Sequence, residues 1–497
     1  MTTASTETAM AVRMIVRPRE YFDSVFLMRV SQRLERAPGV RAAAAVMATD
    51  ANKTRLADAG LATPELATAR ADDLVIALRA ETSGAADSAL AELASALAAP
   101  VTITASARTI ERALARRPDA NVAVISVPGA YAGAEVRHAL ERGLHAFVFS
   151  GNVPVAEERA LKEEAHRRGL LVMDPDCGTA IVRGVGLGFA NVVRRGVIGV
   201  VGGSGTGMQE VTSLVHNAGA GISHALGTGS HDASDAIGGI STVDALDALA
   251  ADVETRVIVL VSKPAGPSTE ATIDAAVARA GKPVVTCILG DVPARVDRAV
   301  RTFEEAAAAA VTIAGGARVP IAVPGGLDER LAREREALAA SQRQIRGLFA
   351  GGSFALQAER ILAEMGVGAG ARTIVDLGTE SLTDGRPHPM IDPRLRRERI
   401  IEAAEDGRVA VILFDVVLGH GAAPDPAGDL AGTIASARTK ARRGGRNVVF
   451  IASLTGTEGD PQGLGRQRAS LEDAGVIVVP TTARAARAAE AIAGGRP

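Results

Sequence analysis

Residues 202–207 read Gly-Gly-Ser-Gly-Thr-Gly, between the apolar run Val197–Val201 and a stretch of helical character. A glycine- and hydroxyl-rich turn at a helix start offers unpaired backbone N–H groups and the positive end of the helix dipole, so it attracts anions. Gly203 and Gly205 allow close approach of an anion, and the hydroxyls of Ser204 and Thr206 add donors. Lys263, in Val-Ser-Lys-Pro-Ala-Gly, supplies a compact charge suited to phosphate. The same pattern also suits a plain β–α junction with glycine for geometry and Ser or Thr as helix cap.

Two histidines sit in comparable loops. His231 lies in Gly-Thr-Gly-Ser-His-Asp beside Gly229, and His420 lies between Gly419 and Gly421 in Leu-Gly-His-Gly-Ala-Ala-Pro. Both loops follow strand-like runs, so the glycines are further phosphate-turn candidates and the histidines are acid/base candidates. In Gly-Arg-Pro-His-Pro-Met-Ile-Asp-Pro-Arg, Arg386 and Arg394 could clamp a carboxylate substrate through their guanidinium forks. Asp392 between them equally suits a salt-bridged joining loop, and His388, held between prolines, reads as part of a rigid loop. His216 and His224 read as structural, and Cys177 as a small packed residue.

Length sets the scale for these sites. At 497 residues the chain has room for three or four domains. Aromatics make up 2% and Trp is absent, which weakens a single-stranded nucleic-acid reading. A net charge of −2 gives no basic field for nucleic acid or an anionic membrane. Cys177 and Cys287 are isolated, with no metal-ligand spacing, so no metal is expected and a reducing cytoplasm is the expected compartment. No signal-peptide pattern and no apolar run of membrane-spanning length is seen.

Short Val/Ile runs alternate with Ala-rich amphipathic stretches, the mark of βαβ units. The fold class expected is α/β, with several doubly wound parallel sheets and a small N-terminal α+β domain, ferredoxin-like in its order. The expected boundaries are 1–100 for that domain, 101–194 for a Rossmann-like unit and 195–325 for a second α/β unit. A linker helix over 326–345 and a third α/β unit over 346–497 complete the chain. The second and third α/β units share a grammar, as two related halves would.

With these motifs in order, residues 105–497 resemble the NDP-forming acyl-CoA ligases. The second and third blocks are similar to the α subunit of succinyl-CoA synthetase, and the last to the C-terminal domain of its β subunit. The fusion of both parts behind an N-terminal block, with the Gly385–Arg394 segment, resembles the FdrA family. The resemblance implies a Rossmann-like CoA-binding-type domain and two flavodoxin-like synthetase-type domains. It makes Ser204-Gly205-Thr206 the turn that in the ligases receives a phosphohistidine. It matches Gly227, Gly229 and Asp232 to a ligase loop, and 414–428 loosely to the β-subunit phosphate turn. Asn152 and Asp176 parallel turn residues that border the ligases' coenzyme A.

The departures are informative. The stretch after Lys282–Val285, where the ligases carry their catalytic histidine, has none here. Lys263 stands where they carry a supporting glutamate, and the first Rossmann turn, Pro128-Gly129-Ala130, is a poor coenzyme A cradle. A lysine beside the turn suits a free acyl phosphate, which needs only positioning and leaving-group stabilisation. The resemblance implies a carbamoyltransferase subunit in allantoin catabolism that interconverts carbamoyl phosphate plus oxamate with oxalurate plus phosphate. It would work with partner subunits and as a homo-oligomer. Two alternatives stay open: an acyl-CoA ligase using coenzyme A and a nucleotide, and a non-catalytic coenzyme A- or phosphate-binding scaffold.

Overall fold

A computed structural model describes residues 10–98 apart from 21, 23 and 36, then 107, 109–290, 299–315, 325–383 and 387–494. The chain divides into two compact units, 1–116 with 385–387, and 117–384 with 388–497.

The first unit runs β1 (Ala11–Arg17), α1 (Ser24–Glu35), β2 (Val40–Met47), α2 (Asp50–Asp58), α3 (Glu65–Thr68), β3 (Leu74–Ala80), α4 (Ser83–Ala98) and α5 (Ile110–Arg116). Its antiparallel sheet has the order β1-β3-β2. Leu74, Ile76 and Leu78 of β3 alternate onto the face covered by α1 and α4. Val75 and Ala77 point to the other face, closed by Leu56, Leu61 and Leu66. The α+β order expected of this block is found, and its helices divide between the two faces of the sheet.

The second unit begins with three parallel strands, β4 (Val122–Ile125), β5 (His145–Val148) and β6 (Val172–Met173). They are connected by α6 (Gly129–Glu141) and α7 (Val155–Arg167). The hairpin β7 (Thr179–Val182) and β8 (Val185–Gly188) then joins the next sheet, antiparallel to β10. That sheet continues through β9 (Arg195–Gly202), α8 (Gly205–Asn217), β10 (Ile222–Gly227), α9 (Ile240–Ala251) and β11 (Val257–Ser262). It ends with α10 (Pro267–Arg279), β12 (Val284–Ile288), β13 (Ala299–Val300) and α11 (Phe303–Ile313). The order is β13-β12-β11-β9-β10-β7-β8, so hydrogen bonding of this sheet begins at Thr179, ahead of the expected residue 195.

After α12 (Leu327–Glu336) comes β14 (Gln344–Phe349), α13 (Gly352–Glu364), β15 (Arg372–Asp376), α14 (Glu380–Thr383), α15 (Arg394–Glu405) and β16 (Val409–Val417). Then α16 (Gly428–Arg443), β17 (Val449–Thr455), α17 (Leu464–Asp473), β18 (Ile477–Val479) and α18 (Thr482–Ala493) complete a parallel sheet of order β15-β14-β16-β17-β18. Both large sheets contain the flavodoxin-like order 2-1-3-4-5. The fold is α/β with several parallel sheets and a small N-terminal domain.

One apolar core joins the two large sheets. Met208 and Val211 of α8, Phe303 of α11, Phe354 and Ala358 of α13 and Ile492 of α18 are all buried in it. Polar contacts lock the seam. Asn191 donates to Leu418 O at 2.9 Å and to Asp460 at 2.8 Å, and Val192 N donates to Asp460 at 2.7 Å. Glu210 of α8 accepts from Thr482 N and Oγ1 at 3.1 and 2.9 Å, at the start of α18. Its other oxygen, also buried, has no hydrogen-bond partner among the described residues.

Burial pushes the Glu210 carboxyl up to about 8, against the lowering effect of the Thr482 hydrogen bonds. The fold therefore keeps a proton that the unfolded chain releases above its ordinary value of 4.5. This contribution to stability is complete below pH 4.5 and is lost as pH rises towards 8. Glu210→Gln is expected to flatten that decline, with an effect on the order of 1–3 kcal/mol by pH 8.5. Urea unfolding midpoints between pH 5 and 9 check it; parallel pH profiles for both proteins would refute it.

Candidate functional site

The 202–207 turn joins the carboxyl end of β9 to α8. Its glycines are demanded first by neighbouring backbone. A Cβ on Gly202, whose φ is +158°, would lie 1.7 Å from Val261 O, and one on Gly205 would lie 2.0 Å from Cys177 O. Gly203 similarly meets Gly229 O, so the candidate glycines 203 and 229 are in contact across two loops. Two features remain for an anion. Ser204, the N-cap, makes no side-chain capping bond, and its buried Oγ has no hydrogen-bond partner among the described residues. The first-turn N–H groups of α8 have no acceptor within the helix.

The start of α13 comes to the same place. Gly351 is its N-cap, again without a side-chain cap, and a Cβ there would meet Thr206 Oγ1 at 2.6 Å. Asp415, at the heart of β16, fixes this second turn by accepting from Ala350 N at 2.8 Å and Gly351 N at 2.9 Å. Arg396 pairs with Asp415 at 3.0 Å, and both side chains are buried. Two helix N-termini, one from each large sheet, thus converge.

Lys263 and Asp376 belong to this region. Lys263 is half-buried; its carbonyl accepts from Ser262 Oγ at 2.8 Å, and its ammonium makes no hydrogen bond or ion pair among the described residues. Its charge acts on Asp376, at the end of β15. Burial raises the Asp376 carboxyl, while the Gly378 N–H at 2.8 Å and the Lys263 charge pull it back towards the ionised form. The sequence reading missed Asp376 and Asp415, which look like ordinary strand-end acids without the second sheet in view.

The other candidates are placed differently. His231 Nδ1 lies within hydrogen-bond distance of the Glu158 carboxylate, at 3.2 Å, and 3.8 Å from Asp176. It borders a buried cluster in which Lys162 Nζ donates to Glu158 at 2.6 Å, Thr228 O at 2.7 Å and Asp232 at 3.0 Å. Burial pulls the Lys162 ammonium down, but the Asp232 and Glu158 charges outweigh it and hold it charged. Asp232 in turn accepts from Ser241 N and Thr242 N at the start of α9. In sequence, Glu158 and Lys162 look like a solvent-facing helical pair, and only the docking of α7 on the next domain buries them.

His420 is exposed and its backbone bridges Ala190, with His420 N donating to Ala190 O at 2.8 Å. Gly419 and Gly421 pack against Ala190 and Phe189, so close chain approach accounts for both. Arg394 is engaged by Asp392 at 2.6–3.1 Å, so the expected carboxylate clamp is closed on its own loop. Arg386 lies outside the described residues. Burial pushes the Cys177 thiol well up, aided by the Asp174 charge, which disfavours its thiolate. Asp174 itself is pushed up to about 8 by burial.

Asn152 and Asp176, both at positive φ, follow the ends of β5 and β6 in the parallel three-stranded sheet. There Asn152 O and Gly151 O both lie 2.4 Å from where a Cβ on Gly129 would sit, and Asp176 Oδ1 lies 2.9 Å from one on Gly151. A coenzyme A diphosphate does not fit this turn. Pro128 has no N–H to offer, the 151–152 backbone closes on Gly129, and the Glu157 carboxylate occupies the space beside Gly133.

The whole chain has a close counterpart. The Escherichia coli K12 protein YahF, described as uncharacterised, is 39% identical over 501 residues, covering 95% of this chain and 97% of its own. The chain belongs to the YahF-like, FdrA-type family. Family models described as an AllF heavy metal-associated domain, a CoA-binding domain and a CoA-ligase match residues 10–113, 194–290 and 348–492 of this FdrA-type protein. The CoA-binding match falls on the domain of β9–β12, whereas the sequence reading put a CoA-binding-type unit at 101–194. Residues 10–113 contain neither Cys nor His, which does not suit a soft metal. Among the described residues no group of three or more His, Cys, Asp or Glu could hold an ion.

Subunit α 2 of the ADP-forming succinate–CoA ligase of Archaeoglobus fulgidus is 28% identical over 179 residues, 35% of this chain. The FdrA-type chain spans 61% of that subunit's length. A dinucleotide-forming acetyl-coenzyme A synthetase of Ca. Korarchaeum cryptofilum aligns over 75% of this chain and 82% of its own, at 16% identity and a TM-score of 0.29. No described helix is long and apolar enough to cross a membrane.

The Lys162 cluster yields a stability test. Lys162→Met leaves Glu158 and Asp232 as buried, uncompensated carboxylates and is expected to cost about 3–5 kcal/mol. Thermal unfolding would show it; a loss below about 1 kcal/mol would mean that the triad is not closed in solution.

Proposed function

We propose that this chain binds an acyl phosphate where α8 and α13 converge, and that it serves as the carbamoyl phosphate-binding subunit of a carbamoyltransferase. The observation that carries this reading is the pairing of two helix starts without side-chain caps with the buried Ser204 hydroxyl and the Lys263 ammonium, neither of which has a hydrogen-bond partner among the described residues. Dipoles, free N–H groups and a point charge suit a dianionic leaving group. They need no protein histidine to carry phosphate.

In the transfer, the amide nitrogen of oxamate attacks the carbamoyl carbon and the carbon–oxygen bond to phosphate breaks. The nitrogen's proton leaves with the phosphate, giving oxalurate and hydrogen phosphate. Ser204, the first-turn N–H groups of α8 and Lys263 hold the phosphate while charge builds on the bridging oxygen. The cytoplasm, partner subunits and a homo-oligomer are part of this proposal, as is the set of domain boundaries given above with the one at 195 moved forward to the Thr179 hairpin. His231, beside the Glu158 carboxylate, is the nearer of the two loop histidines to the 229 turn and is the one we assign to proton handling.

The CoA-binding and CoA-ligase matches favour one competing reading, a nucleotide-dependent acyl-CoA ligase. Incubation with γ-labelled nucleotide separates the two, since a ligase of that kind would leave acid-labile phosphate on the protein. Titration calorimetry with carbamoyl phosphate is the direct test. Ser204→Ala and Lys263→Ala are each expected to weaken binding on the order of tenfold, about 1.4 kcal/mol. Phosphate release from carbamoyl phosphate plus oxamate, with and without partner subunits, extends it to chemistry. Unchanged affinity in both variants, or stable phosphohistidine labelling, would overturn the proposal.

A further inference from the structure

Asp376 ends β15, paired with Phe349 at the end of β14, from which the chain turns into α13. The two oxygens of its carboxylate are held differently. Oδ1 accepts from Gly378 N at 2.8 Å. Oδ2 lies 2.3 Å from where a Cβ on Gly352 would sit, and makes no hydrogen bond among the described residues. Gly352 is the first residue of α13. Side chains of a helix tilt towards its N-terminus, so an oxygen in that place lies at the positive end of α13. Any side chain at 352 would push the carboxylate out, and glycine admits it.

The α13 start has no side-chain cap of its own, and its first-turn N–H groups have no acceptor within the helix. The Asp376 carboxylate therefore serves that helix end as a bound anion would. The cations around it are few. Arg396 is spent on Asp415. The His388 ring, beside Gly378, is neutral, since burial with the Arg396 charge added pushes it down to about 4. Lys263 remains. Its charge favours the ionised form of Asp376, and its ammonium makes no ion pair among the described residues. One lysine and one helix start thus share one resident carboxylate, next to the contact of Thr206 with Gly351.

We infer that the Asp376 carboxylate is an internal counter-anion, which fills the α13 side of the anion seat in the free protein and gives way when a phosphate takes over the Lys263 charge and the α13 dipole. The inference rests on the acyl-phosphate proposal and deepens it, by naming what the ligand has to displace. Binding turns the Asp376 side chain away from Gly352 while its backbone stays in the sheet. A dianion repays that displacement better than a monoanion does, so the resident carboxylate favours phosphates over simple carboxylates.

Titration calorimetry on the full chain, with inorganic phosphate and with carbamoyl phosphate, tests it. Asp376→Asn keeps an oxygen for Gly378 N and removes the charge. It is expected to bind both probes about five- to tenfold more tightly than the wild type. Gly352→Ala leaves Asp376 in the chain but places a Cβ where its oxygen sits, and should tighten both probes by a smaller factor. Asp376→Glu keeps the charge and should show no gain. A gain in affinity separates this role from a merely structural one, because a loosened turn would weaken binding. Either Asp376→Asn or Gly352→Ala carries the test if the other does not fold. Affinities unchanged or weakened in these two variants overturn the counter-anion and leave the acyl-phosphate site standing. Binding of neither probe by the wild type or by any variant overturns both.

Discussion

The carboxylate of Asp415 takes the N–H groups of Ala350 and Gly351, and Arg396 neutralises it from within the protein. A carboxylate so placed in the middle of a sheet is costly unless every lone pair is used. Here it sets the backbone that opens α13, and α13 packs with α8 in the core shared by the two large sheets. Thr206 of α8 then fits against Gly351, where no larger residue could stand. The opposed helix starts follow from this arrangement. Remove the Asp415 brace and the α13 turn has no fixed relation to the Ser204 turn.

The seam around that brace is polar where it crosses between the sheets and apolar within. Asn191, Gln209 and Asp460 form a connected set whose hydrogen bonds span residues far apart in sequence. Glu210 reaches the start of α18 in the same way. Such contacts cost desolvation but are specific in register, so they hold the two sheets in one relation in which the apolar core alone would tolerate several.

Much of the fold was legible from periodicity. The Val/Ile runs of β9, β11, β12, β16 and β17 are near-continuous because these strands are buried on both faces. The hairpin β7–β8 was less legible, since four-residue strands containing glycine carry little pattern. At the site, Ser204 and Lys263 could be singled out because a Gly-Ser-Thr turn after a strand has a local chemical meaning. Asp376, Asp415, Lys162 and His388 have none until a second element is docked against them. His388 is the plainest case: flanking prolines signal rigidity, and nothing local says that the ring packs on Phe189. The glycines show the converse. Gly419 and Gly421 resemble a phosphate turn in sequence, and in the structure chain crowding at Ala190 and Phe189 explains them.

The central claim is that the phosphate seat lies between the starts of α8 and α13. A crystal structure with a non-hydrolysable carbamoylphosphonate tests it most directly. The phosphonate is expected within hydrogen-bond distance of Ser204 Oγ and the first-turn N–H groups of α8, with Lys263 turned towards it. A phosphonate seated instead at the Gly419–Gly421 turn, or at the strand ends around Asn152 and Asp176, would contradict it.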